Sequence, residues 1–132
     1  MIKYILCFIM LVGIASTSIA CDATERPFVI SNTLHQAIAL QIWEVLPNGF
    51  PDPTFSLPIG REGETYQSSL RLTPSETSKV FIAGVVGSRI GYVIIINDES
   101  GKELFRHTFP RDELVRHKFK LTITEQSIEY SP

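Results

Sequence analysis

Two runs, Lys79-Val-Phe-Ile-Ala-Gly-Val-Val86 and Gly91-Tyr-Val-Ile-Ile-Ile-Asn97, restrict what this chain can become more than any other feature. β-Branched residues are stiff at χ1, which suits the pleated surface of a sheet better than a helix. Short, nearly continuous apolar runs bounded by Gly, Ser and Asn read as central strands covered on both faces, so these two predict the heart of the core. Elsewhere from Pro27 onward the apolar residues come in short runs separated by turn chemistry, and no segment has the periodicity of a long helix.

The remaining strands are read around that pair. Phe28–Ser31 and Ala37–Val45 predict the first two, joined by a turn at Asn32-Thr-Leu-His35. Tyr66–Leu72 alternates and stops at Thr73-Pro74, where Pro cannot donate to a ladder. Asn97-Asp-Glu-Ser-Gly101 reads as a hairpin turn, with Gly supplying positive φ and Asp98 a local side-chain bond. It leads into Glu103–Phe109, on which Phe105, His107 and Phe109 share a face, and Pro110 ends that strand. Arg111–His117 is a candidate short helical turn, Lys118–Thr124 turns Phe119, Leu121 and Ile123 inward, and Ile128–Tyr130 reads as a last edge strand. Seven or eight strands within residues 27–132 predict an all-β domain, a two-sheet antiparallel β-sandwich of immunoglobulin-like or transthyretin-like type.

The apolar residues are unevenly placed, and their excess lies at the N-terminus. Residues 1–20 carry Lys3, an apolar run to Ile14 and the small, polar stretch Ala15-Ser-Thr-Ser-Ile-Ala20, the pattern of a secretory signal peptide. The run is short for a bilayer span, which needs about 20 apolar residues. Without it, residues 21–132 are about 38% apolar, an ordinary globular level once glycine is added. Residues 21–26 form a tether, and 27–132 the folded domain.

Cys21 directly follows Ser18-Ile-Ala20, which resembles the lipobox of bacterial lipoproteins, in which a small residue precedes a Cys that is acylated and becomes the mature N-terminus. This chain departs from that pattern in having Ser18, not a branched apolar residue, three places before the Cys. Ser18-x-Ala20 also satisfies ordinary signal peptidase. Cys7 leaves with the signal peptide, so Cys21 is an odd thiol with no internal disulfide partner, and lipidation accounts for both its count and its position. The resemblance implies membrane attachment on the periplasmic side of a bacterial membrane. In size, in the lipobox-like Cys21 and in strand pattern, the chain is also similar to the small sandwich lipoprotein that anchors type VI secretion assemblies, although no motif of that family is matched residue by residue.

Catalytic constellations are missing from the pattern. Gly87-Ser88 lacks the G-x-S-x-G elbow, and Gly84–Gly91 joins two strands and so is no phosphate cradle. His107 and His117 match no zinc spacing, and Asn97–Gly101 lacks the order of a calcium loop. Glu62/Glu64 and Asp98/Glu99 lie in turns that do not hold two carboxyls across a cleft. The expectation is therefore a non-enzyme with neither metal nor cofactor. A net charge of −2 without a basic stripe excludes nucleic acid, while Arg111, Arg116, Lys118 and Lys120 make a local basic patch.

The Pro-rich segment 46–64 is long for a connection without regular structure. With Trp43 just before it, it offers Phe50 and Phe55 as partner-binding residues on a backbone stiffened by proline. The function expected from the sequence is an exported, lipid-anchored envelope protein whose sandwich binds another protein through this loop or an exposed sheet edge. The alternative is a small-ligand or carbohydrate-binding sandwich that uses Trp43, Phe50 and Phe55 as a stacking surface.

Overall fold

The computed structural model describes residues 26–52, 56–83 and 89–132. Pro27–Ala83 and Ser88–Pro132 belong to one compact unit. In chain order its elements are β1 (Phe28–Asn32), β2 (Ile38–Glu44), β3 (Ile59–Gly60), β4 (Leu70–Leu72), β5 (Thr77–Ile82), β6 (Gly91–Asp98), β7 (Glu103–Pro110), α1 (Arg111–Arg116), β8 (Lys120–Ile123) and β9 (Ile128–Tyr130). The strands form a five-stranded sheet, β3-β5-β1-β8-β9, and a four-stranded sheet, β4-β2-β6-β7. The domain is an all-β protein of two sheets with a sandwich-like core.

Two finer expectations are corrected. There are nine strands among the described residues, because β3, a two-residue strand inside the Pro-rich segment, pairs with β5. The pairing is also not antiparallel throughout: β1 and β8 run parallel, with Ile30 opposite Leu121. The cause is topological. After β7 the chain crosses between sheets through α1 and enters the five-stranded sheet from the end at which β1 begins.

Alternation builds the core. Phe28 and Ile30 of β1, Ile38, Leu40 and Ile42 of β2, Tyr92, Ile94 and Ile96 of β6, and Leu121 and Ile123 of β8 meet in one cluster. Phe28 stands edge-on to Tyr92 and Phe119, with ring centroids 5.5 and 5.2 Å apart, the arrangement the ring quadrupoles favour. β6 lies between β2 and β7 and is buried on both faces from Gly91 to Ile96, as its sequence predicts. β5 departs from that prediction. Val80 is buried, but Thr77 and Lys79 are exposed, because β5 has only the two-residue β3 beyond it. Residues 84–86 of the predicted run, like the signal peptide, Cys21 and Phe55, lie outside the described residues.

Asn32, read from sequence as a turn residue, is a buried staple. Its Nδ2 donates to the carbonyls of Gln36 and Thr73, both at 3.0 Å, and its Oδ1 accepts from the Leu34 N–H at 3.0 Å. It thereby ties the β1–β2 turn to the β4–β5 turn. Beside it, Glu76 accepts from Thr73 N–H and from Arg61 Nε and Nη2 at 2.9, 2.9 and 2.7 Å. Burial opposes ionisation of Glu76, but these bonds outweigh it and hold the carboxyl below its ordinary value.

The predicted turn at 111–117 is the helix α1. Its first turn carries Asp112 and Glu113, which suits the helix dipole, and Leu114 is its buried anchor. It ends in a Schellman motif: Phe119 N–H donates to the Leu114 carbonyl at 2.8 Å and Lys118 N–H to the Val115 carbonyl at 3.1 Å. Lys118 takes the left-handed position, φ 59°, that glycine usually fills. Buried Phe119 closes the motif against Leu114.

The connections define two ends. The turns 33–37, 73–76, 99–102 and 124–127 gather at the distal end. At the proximal end β1, β6 and β8 begin, β2, β5 and β7 finish, and α1 sits.

Candidate interaction surface

β7 is the outermost strand of the four-stranded sheet and, at eight residues, the longest edge strand among those described. Arg111 N–H donates to the Ile90 carbonyl at 2.9 Å, and the register continues Tyr92↔Phe109, Ile94↔His107, Ile96↔Phe105. Bonded and non-bonded pairs alternate in an antiparallel ladder. The backbone groups of Phe105, His107 and Phe109 therefore face β6, whereas those of Arg106 and Thr108 face away from the sheet. A register shift between Ile96 and Asn97 leaves Leu104 without an opposite residue. Pro110, with no N–H, closes the strand, and Glu103 and Arg106 pair at 2.8 Å on the surface. The Arg106 hydrogen bond lowers the Glu103 carboxyl below its ordinary value. Charge, a bulge and a terminal proline are the devices that keep an edge from indiscriminate pairing.

Beside this edge lies the outer face of the same sheet. Val45, Val93 and Ile95 form a second apolar cluster, with Trp43 half-buried against it. Trp43 is opposite Val93, which is opposite Thr108, and Gln41 is opposite Ile95, which is opposite Arg106. The row is thus apolar in the middle with polar neighbours, and Trp43 Nε1 reaches Gln41 Oε1 at 3.4 Å. β6 reads as an all-apolar strand because it supplies both this face and the core.

The other predicted residue here, Phe50, is placed differently. Val45 bridges Pro51, and Leu46 N–H donates to the Phe50 carbonyl at 2.9 Å, so residues 45–51 make a tight hairpin beyond the end of β2. Phe50 is 69% exposed on it. Trp43 lies on the sheet face and Phe50 at the proximal end. A shallow pocket of about 360 Å3 lies at the distal end instead, lined by Leu34, His35, Gln36, Leu104, Phe105 and Glu125.

The histidines are solvated. His107, which the sequence places on a face with Phe105 and Phe109, is exposed because β7 is an edge, and its ring lies 4.5 Å from that of Phe109. Phe109 meets Tyr130 edge-on, and His117 stacks on Tyr130 at 4.0 Å. Burial and then the hydrogen bond to Glu113, 3.0 Å from the hydroxyl, push the Tyr130 phenol up to about 12. Among the described residues no group of three His, Cys, Asp or Glu is arranged to hold a metal, and no helix is long and apolar enough to cross a membrane.

No known protein family, curated protein or solved structure gives a significant match to this chain.

Proposed function

We propose that this chain is an exported, lipid-anchored bacterial envelope protein whose sandwich binds another protein by strand addition at β7. The observation that carries this reading is the long β7 edge. The outward backbone groups of Arg106 and Thr108 match what an added strand pairs with, and the exposed side chains of the same strand supply selectivity. The anchor half of the reading rests on the sequence alone, on the Ser18-Ile-Ala-Cys21 pattern and the odd cysteine count. The fold type within this proposal is transthyretin-like. In an immunoglobulin sandwich the first two strands share a sheet, whereas here β1 and β2 lie in different sheets.

Two measurements test the halves separately. Mass spectrometry of the mature N-terminal peptide is expected to find acylated Cys21; an unmodified peptide sinks the anchor. A photo-crosslinking residue at Thr108 is expected to give one discrete protein adduct in the native envelope, whereas one at Glu125, at the distal end, gives none. If Thr108 yields no adduct, or both positions yield the same ones, β7 is not a binding edge. Glycan-dependent change in the fluorescence of Trp43 would favour the carbohydrate reading instead.

A further inference from the structure

We infer that the proximal end of the sandwich is a membrane-contact surface that rests on an anionic bilayer. The inference rests on the anchored reading for its tether and goes beyond it in assigning which end of the domain meets the lipid, and through which groups.

Covalent reach comes first. Five residues, 22–26, lie between the acylation candidate and Pro27, six Cα-to-Cα steps, and an extended chain covers at most about 3.3–3.6 Å per residue. An anchor at Cys21 therefore holds the start of β1 within roughly 20 Å of the bilayer. Chain direction then decides which residues are held there: the start of β1 shares its end with the 45–51 hairpin, Ile90, the finish of β7 and α1.

That end is where the apolar exposure is concentrated. Of the four large apolar residues exposed among those described, Phe50 (69%), Ile90 (44%) and Val115 (47%) lie on its connections, and Tyr66 lies beside β3. They stand on three separate connections, and none completes the core. Arg26, Arg89, Arg111, Arg116, Lys118 and Lys120 accompany them, six cations against four acidic groups. Glu44, Asp52, Asp112 and Glu113 are the acidic groups of the same end, and Glu113 accepts the hydrogen bond of Tyr130. The distal turns instead carry Asp98, Glu99 and Glu125 with Lys102, and Glu99 is paired with Arg71 at 2.6 Å. Apolar side chains interspersed with cations are the chemistry that partitions into an anionic lipid interface, and lysines and arginines act there only within a Debye length of the surface. Contact at this end leaves the β7 edge and the Trp43 face standing beside the membrane and not against it.

The test uses the mature protein reconstituted in vesicles of phosphatidylethanolamine with phosphatidylglycerol, part of it brominated in the acyl chains. Trp43→Phe removes the native indole; a reporter is then placed by Phe50→Trp at the proximal end or by Glu125→Trp at the distal end. Bromine is expected to quench the proximal reporter about twofold or more and to leave the distal one unchanged. Arg116→Glu with Lys118→Glu, or replacement of phosphatidylglycerol by phosphatidylcholine, is expected to weaken that quenching. Absence of proximal quenching, equal quenching at both ends, or indifference to lipid charge overturns the inference. So does a photo-crosslinker at Phe50 that captures the protein partner of Thr108 in place of lipid. If the N-terminal mass shows no acyl group, coupling the Cys21 thiol to a maleimide lipid supplies the tether. The orientation is then tested even where the native anchor has failed. Far-ultraviolet circular dichroism of each variant establishes that it is folded.

Discussion

Replacing Asn32 by Ala removes a side chain that is 1% exposed and bonds to three backbone groups at 3.0 Å: the Gln36 and Thr73 carbonyls and the Leu34 N–H. A net hydrogen bond contributes about 0.5–1.5 kcal/mol, but an orphaned buried partner costs about 1–3 kcal/mol. The turns that hold these groups are close enough to solvent for water to recover part of that loss. The expected destabilisation is about 2–4 kcal/mol, which lowers Tm by on the order of 10–20 °C in a domain of this size. Urea unfolding followed through the single tryptophan is the assay, with an unchanged m-value indicating an intact two-state transition. Asn32→Asp is the second arm. It keeps an acceptor for Leu34 but turns a carboxylate toward carbonyl oxygens, which raises its folded-state pKa above the unfolded value of about 3.9. Stability is then greatest below that value and is lost as pH rises, so the aspartate variant is worse at pH 7 than at pH 4. A loss below about 1 kcal/mol for Asn32→Ala, or a pH response of opposite sign for Asn32→Asp, would refute the staple.

Lys118→Gly, at the left-handed position ending α1, is expected to stabilise by about 0.5–1 kcal/mol in the same urea assay, because glycine adopts that φ without a Cβ penalty. Gly91→Ala is expected to cost about 2–3 kcal/mol, since an added Cβ falls on the Phe109 carbonyl oxygen and forces the β6–β7 ladder apart; wild-type stability would contradict that approach. Tyr130, raised to about 12 from an ordinary 10, contributes stability that is whole below pH 10 and lost as pH climbs through 12. Tyr130→Phe should remove that alkaline dependence and one late-ionising phenol in an ultraviolet titration.

Residues with strict alternation and turn chemistry on both sides were legible from sequence. β2, β6, β7, β8 and β9 follow their predicted runs to within a few residues, and Asp98 caps its turn through Ser100 and Lys102 N–H as expected. Only Leu70–Leu72 of the predicted 66–72 strand is regular, because Gln67 instead bridges Ile59 of the preceding segment. β3 was illegible for the same reason: two residues among prolines carry no periodicity, and only their partner β5 makes them a strand. The parallel β1–β8 pair left no local mark, since the direction of a pairing is set by the path between strands about ninety residues apart. Asn32 reads identically as a turn residue whether its amide meets water or three backbone groups. Of the aromatic trio proposed for binding, sequence placed Trp43 and Phe50 near one another in the chain, but not on different surfaces. The β7 edge carries a recognisable signal, charge and a terminal proline flanking alternation, whereas its position at the border of a sheet depends on the whole topology.

The place of β1 has a mechanical consequence. It lies between β5 and β8, bonded on both sides. A pull arriving through residue 27 therefore loads both ladders in shear, and their bonds yield together, not one after another as in a peeled edge. A load borne at β7 must cross the whole core to reach that strand. A load applied between the start of β1 and β7 would thus pass through both ladders and the core without first detaching an edge strand.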